Sequence, residues 1–416
     1  MSLPIRKTLY QCYFGLREPL VQTQVVPYLQ EIGKDGIEVH LLTFEAEKLS
    51  TEKIAENRQM LAEKGIKWHF LKYHKTPSLP ATLYDIACGA IFSWKLNRKE
   101  KFDVFHGRVH IPTLMGLFAK KLSFHKPKLL FDVRGFFPEE YTDAGVWKEN
   151  GFIYKGAKFV ENWLRREADG FVVLTEKARQ IWFPESAENG FDKFGRPVEV
   201  IPCCVNLERF KKVNDNLRQT MREKLNVNDK QVIVYVGSFG GFYMTQETAD
   251  FYGAAKQQNP KTFALILTQT KPEMIQPLLE NYGYKKEDFF IGKVSPAEIP
   301  EYLSAADIAV SFIKPSFSKL ASSPTKNAEY LACGLPMIAN SNVGDTAEFT
   351  REDEVGFIID EFNAESYLQA LAEINKMLEN RQQTIEKCKS SAGKRFDLQT
   401  VGGARYLNIY RKLLDF

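Results

Sequence analysis

Two series of short apolar runs, separated by a polar stretch, constrain the fold of this chain more than any other feature. In the first series, residues 7–14 and 38–44 flank residues 21–32, whose apolar residues recur at helical spacing. Such an order is typical of an α/β protein, and continuous apolar runs indicate parallel strands that helices cover on both faces. Further strand candidates of this series lie at residues 67–73, 103–106, 128–133, 170–175 and 198–202.

The second series follows a charged, asparagine-rich stretch at residues 211–230 and predicts a second domain. Its runs lie at residues 231–237, 262–268, 288–291, 307–313 and 335–339. A chain of 416 residues also exceeds what one hydrophobic core usually serves. We therefore predict an N-terminal domain over residues 1–208 and a C-terminal domain over residues 209–397. Residues 398–416 contain a helical pattern that we expect to dock on the protein.

Composition excludes several classes of protein. Hydrophobic residues make up 44% and charged residues 26% of the chain, as in soluble globular proteins. No apolar run reaches the roughly 18 residues that span a bilayer. Residues 1–6 lack the pattern of a secretory signal, and the six cysteines show no CxxC spacing. A cytoplasmic protein with reduced thiols is expected.

Positive charge is concentrated in residues 95–128, which contain nine lysine and arginine residues against Glu100 and Asp103. One interpretation is a pair of solvated helix ends. The other is a face that meets an anionic partner, such as the inner surface of a membrane. Nucleic acid is not expected, because no basic-aromatic motif accompanies the charge.

A glycine-rich loop at residues 236–242 follows a predicted strand and precedes a predicted helix. Gly237, Ser238 and Gly240 would let backbone N–H groups approach an anion there. The spacing is not GxGxxG and no Walker lysine follows, so a plain tight turn is the alternative.

Residues 322–338 form a second loop that enters a short helix. Pro324 suits a helix first turn with Ser323 as its N-cap, which would leave amide donors on Thr325 and Lys326. Free amides, the positive helix end and a lysine together favour a diphosphate site. Glu329 lies three residues after Lys326 and so shares its helix face. The alternative is an ordinary capped helix with a solvated Glu329.

The run at residues 325–338, Thr-Lys-Asn-Ala-Glu-Tyr-Leu-Ala-Cys-Gly-Leu-Pro-Met-Ile, resembles the donor-site signature of family 4 glycosyltransferases (glycosyl transferases group 1). These are retaining enzymes of the GT-B fold. The resemblance extends to residues 36–40, 168–175, 200–206, 237 and 305–309. It implies two Rossmann-like parallel-sheet domains that face each other across a cleft, with a C-terminal helix packing back on the N-terminal domain.

The resemblance also implies a donor site. Glu329 matches the glutamate that binds the ribose of a nucleotide sugar, and Thr325 and Lys326 match the phosphate positions. Gly292, Lys293 and Val294 match the loop whose backbone meets the base.

Two departures from the family pattern concern charge at this site. Ala321 stands where many relatives have a second glutamate, and residues 239–247 lack the arginine and lysine that often neutralise the diphosphate. Lys326 could replace that charge, and Lys319 is a weaker candidate.

In the N-terminal domain, Asp132 and Arg134 leave a strand where many relatives place a histidine near the transferred sugar. With Lys326 they are the predicted catalytic residues, and Arg134 could hold a phosphate or an acceptor carboxylate. The alternative is a pair that only fixes the loop. Gly15 and Arg17 would belong to the acceptor-side loop.

Other candidate residues receive structural interpretations. Cys203 and Cys204 have no partner at metal-ligand spacing, so a strand-end role is expected for them. His106 is expected to be a core histidine.

By resemblance, the chain is an enzyme that transfers a hexosyl group from a nucleotide-diphosphate sugar to the hydroxyl of a glycan or lipid-linked acceptor, with retention and with neither metal nor cofactor. Oriented amides and Lys326 would stabilise the leaving diphosphate. Two alternatives stay open: a non-catalytic GT-B homologue that binds a nucleotide or glycan, and a phosphorylase or sugar epimerase on the same fold.

Overall fold

The computed structural model describes residues 6–415. Residues 1–5, which belong to the segment expected not to be a secretory signal, lie outside the described residues. The chain divides into two compact units. Unit 1 runs to Pro202 and takes up the chain again from Leu398, and unit 2 spans Cys203–Asp397. The predicted boundary lay after residue 208. Residues 203–208 belong to unit 2 because the Val205 N–H donates to the Phe396 carbonyl at 2.8 Å.

Unit 1 contains a seven-stranded parallel sheet within the described residues, in the order β3-β2-β1-β4-β5-β6-β7. The strands are β1 (Lys7–Gln11), β2 (Glu38–Glu45), β3 (Ile66–Lys72), β4 (Val104–Arg108), β5 (Lys128–Asp132), β6 (Gly170–Val173) and β7 (Val198–Val200). The helices are α1 (Pro19–Gln24), α2 (Val26–Gly33), α3 (Thr51–Ala62), α4 (Ser78–Glu100), α5 (His110–Leu122), α6 (Phe137–Asp143), α7 (Phe152–Glu167), α8 (Glu176–Trp182) and α9 (Ser186–Asn189).

The helix predicted over residues 21–32 is divided in two. α1 ends at Gln24, and α2 begins after Val25, whose φ of −123° and ψ of −66° are not helical. Pro27 explains the break, because proline has no N–H to continue the hydrogen bonds of α1 and its ring crowds the preceding turn. It is tolerated in the first turn of α2, where that N–H would have no helical partner.

Unit 2 contains, among residues 203–397, a six-stranded parallel sheet in the order β10-β9-β8-β11-β12-β13. Its strands are β8 (Gln231–Val236), β9 (Thr262–Leu267), β10 (Phe289–Gly292), β11 (Ile308–Ser311), β12 (Met337–Asn340) and β13 (Gly356–Ile359). Its helices are α10 (Asp215–Lys224), α11 (Thr245–Gln258), α12 (Gln276–Asn281), α13 (Ile299–Ser304), α14 (Thr325–Ala332), α15 (Thr346–Glu352), α16 (Ala364–Glu379) and α17 (Arg381–Phe396).

Both faces of the unit 2 sheet are covered, which explains its continuous apolar strands. Along β8, Val232 and Val234 belong to one buried cluster, whereas Ile233 and Tyr235 belong to the cluster on the opposite face. Successive side chains of a strand point to opposite faces, so a sheet covered on both sides needs apolar residues at every position. This arrangement confirms the parallel-sheet interpretation of the apolar runs.

The polar stretch at residues 211–230 contains the helix α10 rather than an extended linker. Arg218 and Arg222 on this helix both bind the carboxylate of Asp307, which precedes β11. The stretch therefore belongs to unit 2.

The last helix, α18 (Ala404–Leu414), belongs to unit 1. The Tyr410 hydroxyl lies 2.8 Å from Thr8 Oγ1 on β1 and 3.0 Å from His106 Nδ1 on β4. His106 is fully buried, as the sequence predicted. The chain thus ends on the unit with which it began.

Several cations of residues 95–128 do not lie on a common free surface. Arg108 is buried, 3.9 Å from Asp132, while Lys120 and Lys121 pair with Asp169 and Glu167. Only part of this charge therefore faces solvent. In the part of the chain that the structure describes, we find no helix with the length and apolar character needed to cross a membrane.

Candidate active site

The entry into α14 places backbone donors and a lysine at the carboxyl edge of the unit 2 sheet. The helix begins at Thr325, and Pro324, with φ −67° and ψ 115°, is the N-cap residue. The predicted cap by Ser323 is wrong, because its hydroxyl instead accepts the Cys203 N–H at 3.0 Å. The first amides of a helix have no partner within it, so those of Thr325 and Lys326 are suited to bind an anion.

Lys326 is a buried cation that is not paired. Its side chain belongs to a residue only 8% exposed, and its ammonium has no hydrogen-bond partner among residues 6–415. The Nζ atom lies 4.4 Å from the ring centroid of Tyr235 and 5.2 Å from that of Tyr243. Burial lowers the pKa of Lys326 to about 7. An ammonium without a partner in such a place is suited to an anion that binds there.

The glycine loop lies against this lysine. A Cβ atom on Gly237 would meet Lys326 Nζ at 3.5 Å, and the φ of 143° at Gly237 favours glycine. The loop offers fewer amides than the sequence suggested. The amides of Gly237, Phe239 and Gly240 donate within the protein, to Leu267, Thr270 and Thr245 respectively. Ser238 is exposed, and its carbonyl accepts the Tyr235 hydroxyl at 2.6 Å.

Glu329 faces a different neighbour from Lys326. Its Oε1 lies 3.5 Å from Arg209 Nη1, and Arg209 is held in turn by the carbonyl of Pro296. Burial raises the pKa of Glu329, and Arg209 opposes that effect. Arg209 therefore keeps an acceptor-rich carboxylate in place one helical turn beyond the first amides of α14.

The remaining donor-side predictions lie at the same edge of the sheet. Gly292 ends β10 and its carbonyl accepts the Thr268 N–H at 2.9 Å. Lys293 is exposed, while Val294 packs against the core. Ligands of open parallel sheets bind at the carboxyl ends of the strands, where these residues and the glycine loop lie.

The structure shows what surrounds Ala321 and Lys319, the two residues named in connection with the departures from the family pattern. Ala321 is 1% exposed. The Lys319 ammonium lies 3.7 Å from the ring centroid of Phe242, the last residue of the glycine-rich loop. Lys319 therefore also brings positive charge to this loop.

Asp132 and Arg134 in unit 1 belong to a buried network. Asp132 Oδ2 accepts Arg134 Nε at 3.0 Å and the Tyr406 hydroxyl at 2.9 Å, and Arg134 Nη2 donates to the same hydroxyl at 3.0 Å. Although burial alone would raise it, Arg134 together with His106 and Arg108 holds the pKa of Asp132 well below its usual value. These contacts fit the alternative in which the pair fixes the loop. A contact with substrate stays a prediction.

The predicted acceptor-side loop is anchored by a buried glutamate. The Leu16 N–H donates to Glu45 Oε1 at 2.9 Å, and a Cβ atom on Gly15 would approach Glu45 Oε2 to 3.0 Å. Arg17 is exposed beside it.

A cluster that could hold a cation lies elsewhere in unit 1. Among residues 6–415, Glu38, His40 and Glu100 form the one group of three such ligands close enough to share an ion. The Lys7 ammonium lies 3.3 Å from Glu38 and 3.0 Å from Glu100, so it already supplies positive charge.

Cys203 and Cys204 form no disulfide.

Three residues of the candidate site escaped the sequence analysis. Arg209 follows the strand-end motif, but nothing in its spacing relates it to Glu329. Tyr235 reads as one more apolar residue of a strand, and Tyr243 as part of a turn. Only the fold brings their side chains to α14.

Two family models match the chain, one in each half. Residues 218–391 match the family model described as glycosyl transferases group 1, and residues 21–209 match that of glycosyltransferase family 4. A sequence comparison with curated proteins gave no match.

Solved structures with the same fold cover the chain almost completely. A glycosyltransferase from Rickettsia africae ESF-5 has a TM-score of 0.68 at 16% identity, with 99% of each chain covered. Anabaena Alr3699/HepE in complex with UDP-glucose has a TM-score of 0.66 at 16% identity, over 99% of this chain and 100% of that chain. WaaG, a glycosyltransferase involved in lipopolysaccharide biosynthesis, has a TM-score of 0.64 at 14% identity, over 97% and 99%.

The two family models together span most of both units, and the paired parallel sheets have the architecture of GT-B enzymes. The chain belongs to the family 4 glycosyltransferases, the glycosyl transferases group 1, and is a glycosyltransferase.

Proposed function

We propose that this glycosyltransferase moves a hexosyl group from a nucleotide-diphosphate sugar to a hydroxyl of a glycan or lipid-linked acceptor, with retention of anomeric configuration. The observation that carries the donor assignment is the buried, unpaired ammonium of Lys326 beside Gly237 and the first amides of α14. A diphosphate would supply the hydrogen-bond acceptors that this ammonium lacks.

The mechanism follows from where negative charge grows. When the bond between the sugar and the diphosphate breaks, charge accumulates on the leaving diphosphate while the sugar becomes oxocarbenium-like. Lys326 and the α14 amides bind that state more tightly than the ground state. The acceptor hydroxyl attacks from the same face, its oxygen bonds to the anomeric carbon, and its proton passes to a diphosphate oxygen. No further base is needed.

The nucleotide portion is assigned to Glu329 and to the segment 292–294. A carboxylate held by Arg209 accepts two ribose hydroxyls without having to reorient, because its position is set before the ligand binds. The HepE structures contain UDP or UDP-glucose, which supports a uridine nucleotide as the first donor to try.

We propose that transfer is independent of a divalent metal. The charge that a metal would neutralise is met by Lys326, by Lys319 and by the helix end. Metal independence is inferred from these three sources of positive charge.

Contact with an anionic membrane surface is assigned to α7 rather than to residues 95–128. Phe152 and Phe159 on this helix are 91% and 66% exposed, and exposed Lys155 and Arg166 lie along the same face. A groove of about 620 Å³ beside the helix is lined by three arginines, Lys193 and exposed Phe194. Aromatic and basic residues on one exposed helix face suit the interface of an anionic bilayer.

The test of the donor assignment is a calorimetric screen of nucleotide sugars followed by donor hydrolysis without acceptor, both with EDTA present. Binding of one nucleotide sugar and slow release of its sugar are expected. Tight binding without hydrolysis or transfer would support the non-catalytic alternative. Loss of binding in EDTA would overturn metal independence, and a sugar phosphate product would indicate a phosphorylase.

A further inference from the structure

A histidine and a buried aspartate form an oriented pair at the carboxyl edge of the unit 1 sheet. His74 Nδ1 lies 2.6 Å from Asp85 Oδ1, and the His74 N–H donates to Asp85 Oδ2 at 3.0 Å. The Tyr13 hydroxyl donates to the same Oδ2 at 2.7 Å. The carboxylate is 1% exposed, so three donors from two strand-end loops hold it in place.

The position of this pair in the fold is that of a binding site. Tyr13 follows β1 and His74 follows β3, and both therefore lie at the edge where open parallel sheets take ligands. Asp85 projects from α4 to meet them. Gly15, a predicted acceptor-side residue, lies two positions beyond Tyr13.

The geometry leaves one nitrogen of His74 for a ligand. Because Nδ1 donates to the carboxylate, the neutral ring carries its lone pair on Nε2. The imidazole side chain is 35% exposed, although Asp85 behind it is buried. A hydrogen-bond acceptor of fixed direction thus faces outward.

An exposed aromatic ring adjoins the imidazole. The Tyr84 ring meets the His74 ring edge to face, with centroids 5.1 Å apart, and Tyr84 is 58% exposed. Phe14, which follows Tyr13 in the chain, is 43% exposed. Flat aromatic faces next to directional polar groups suit a sugar ring, which has an apolar face and a rim of hydroxyls.

We propose that His74 and Asp85 form an acceptor subsite in which Nε2 accepts a hydrogen bond from a sugar hydroxyl while the Tyr84 ring packs on that sugar. The hydroxyl is a second one, because the reacting hydroxyl gives its proton to the diphosphate. The acceptor is therefore a sugar rather than a simple lipid alcohol. This inference rests on the proposed glycosyl transfer.

The test separates a binding role from a loop-fixing one. In His74→Asn, the amide nitrogen replaces Nδ1 and keeps the contact with Asp85, but no atom replaces Nε2. We expect the KM for acceptor p-nitrophenyl glycosides to rise about fivefold or more, with kcat little changed. His74→Gln, which reaches the Nε2 position, should recover part of the loss. The matched control is His125→Asn, at a histidine elsewhere in unit 1 whose Nε2–H donates to the Phe102 carbonyl at 2.8 Å.

Two measurements keep this test independent of the donor assignment. Donor hydrolysis and UDP affinity should be unchanged in His74→Asn. In the full chain labelled with ¹⁵N-histidine, the Nε2 resonance assigned through that variant should shift when the glycosides are added. The subsite would be overturned if His74→Asn left the KM for the glycosides unaltered. It would also be overturned if the glycosides did not shift the Nε2 resonance. Absence of donor hydrolysis in the unmodified chain would instead count against the proposed transfer.

Discussion

Lys326 is the residue on which the proposed donor site depends most. Its ammonium is held by two aromatic rings and has no hydrogen-bond partner in the described chain, so a diphosphate gains a strong contact there. Lys326→Ala should lower turnover by about two powers of ten, the usual scale for the loss of one electrostatic stabiliser. Lys326→Arg should recover part of it, because a planar fork fits differently from an ammonium.

Lys319→Ala is the matched control for that measurement of kcat. The Lys319 ammonium stacks on Phe242 at the end of the glycine-rich loop, outside the first turn of α14, and its loss should matter much less. A larger defect in Lys319→Ala than in Lys326→Ala would move the site of charge neutralisation to the segment before α14.

The lowered pKa of Lys326 predicts how nucleotide affinity depends on pH. The free protein protonates this amine only below about pH 7, whereas a bound diphosphate favours the protonated form and raises its pKa. Affinity for UDP should therefore be greatest below pH 7 and fall by up to about tenfold per unit above it. Titration calorimetry between pH 7 and pH 8.5 should show proton uptake on binding. Lys326→Arg, which stays charged, should give a flatter profile, and an equally steep one would refute the assignment.

Folding stability responds to the same amine in a defined direction. Because the pKa is depressed in the folded protein, the unfolded chain binds the proton first as pH falls. The neutral Lys326 amine therefore does not lower the free energy of unfolding at a pH above the pKa of Lys in the unfolded chain. The free energy of unfolding decreases as the pH falls from that value toward 7.

Glu329 is expected to carry the ribose contact. A carboxylate that accepts two hydroxyls makes charge-assisted hydrogen bonds, so Glu329→Ala should weaken UDP binding by roughly 2 to 3 kcal/mol. Arg209→Ala should cause a smaller loss, since it removes only the group that positions the carboxylate. Calorimetry on folded variants checks both, and unchanged affinity in Glu329→Ala would remove it from the site.

At this scale the sequence led to some site residues and not to others. Lys326 and Glu329 lie within one continuous signature, so their spacing was enough to propose them. Arg209 and Tyr235 are 120 and 91 positions from Glu329 and Lys326, and no local pattern links such pairs. The failed cap at Ser323 has a similar origin, because its hydroxyl is occupied by Cys203 from a remote segment.

Among the secondary-structure elements, the parallel strands were the most predictable. Each buried strand is a continuous apolar run, and such runs stand out between helices. β13 was missed because it is short and begins with half-buried Gly356 and Phe357. α10 was taken for a polar separator because most of its residues are polar or charged: its buried residues are Met221 and Arg222, and Arg222 and Arg218 bind Asp307. Hydrophobic periodicity does not register a helix that is fixed by ion pairs.

The exposed face of α7 leads to a prediction about the binding of this helix to anionic membranes. Phe152→Ser with Phe159→Ser removes large exposed apolar groups without opening the core, so folding should be unaffected. Co-sedimentation with phosphatidylcholine vesicles that contain phosphatidylglycerol should be lost in this double variant and in high salt. Leu368→Ser, at an exposed apolar position on α16, is the control and should bind like the unmodified chain. Equal binding to vesicles without phosphatidylglycerol would contradict the role of charge.

Across the whole molecule, the chain returns from unit 2 to complete unit 1 with α18. The aromatic hydroxyls of this helix fill positions in the interior of unit 1: Tyr410 bonds to Thr8 and His106, and Tyr406 bonds to Asp132 and Arg134. Unit 1 is therefore incomplete until the last residues of the chain are in place. The strands of unit 1 come from one continuous segment, but the helix that completes the unit comes from the other end of the described chain. Local patterns predicted that helix, whereas its docking on the N-terminal domain was expected only from the family resemblance.

This arrangement predicts unequal effects for two similar substitutions on α18. Tyr406→Phe leaves a buried carboxylate and guanidinium without a shared partner, at a cost of about 2 kcal/mol, whereas Tyr410→Phe removes bonds to neutral groups at about 1 kcal/mol. For a unit of this size, Tyr406→Phe should lower Tm by roughly 4 to 8 °C. Thermal unfolding of the full chain measures both. UDP affinity should not change, because the residues proposed for the donor site all lie in unit 2. If Tyr406→Phe weakened UDP binding while Tm stayed constant, Asp132 and Arg134 would act on the substrate rather than on the fold.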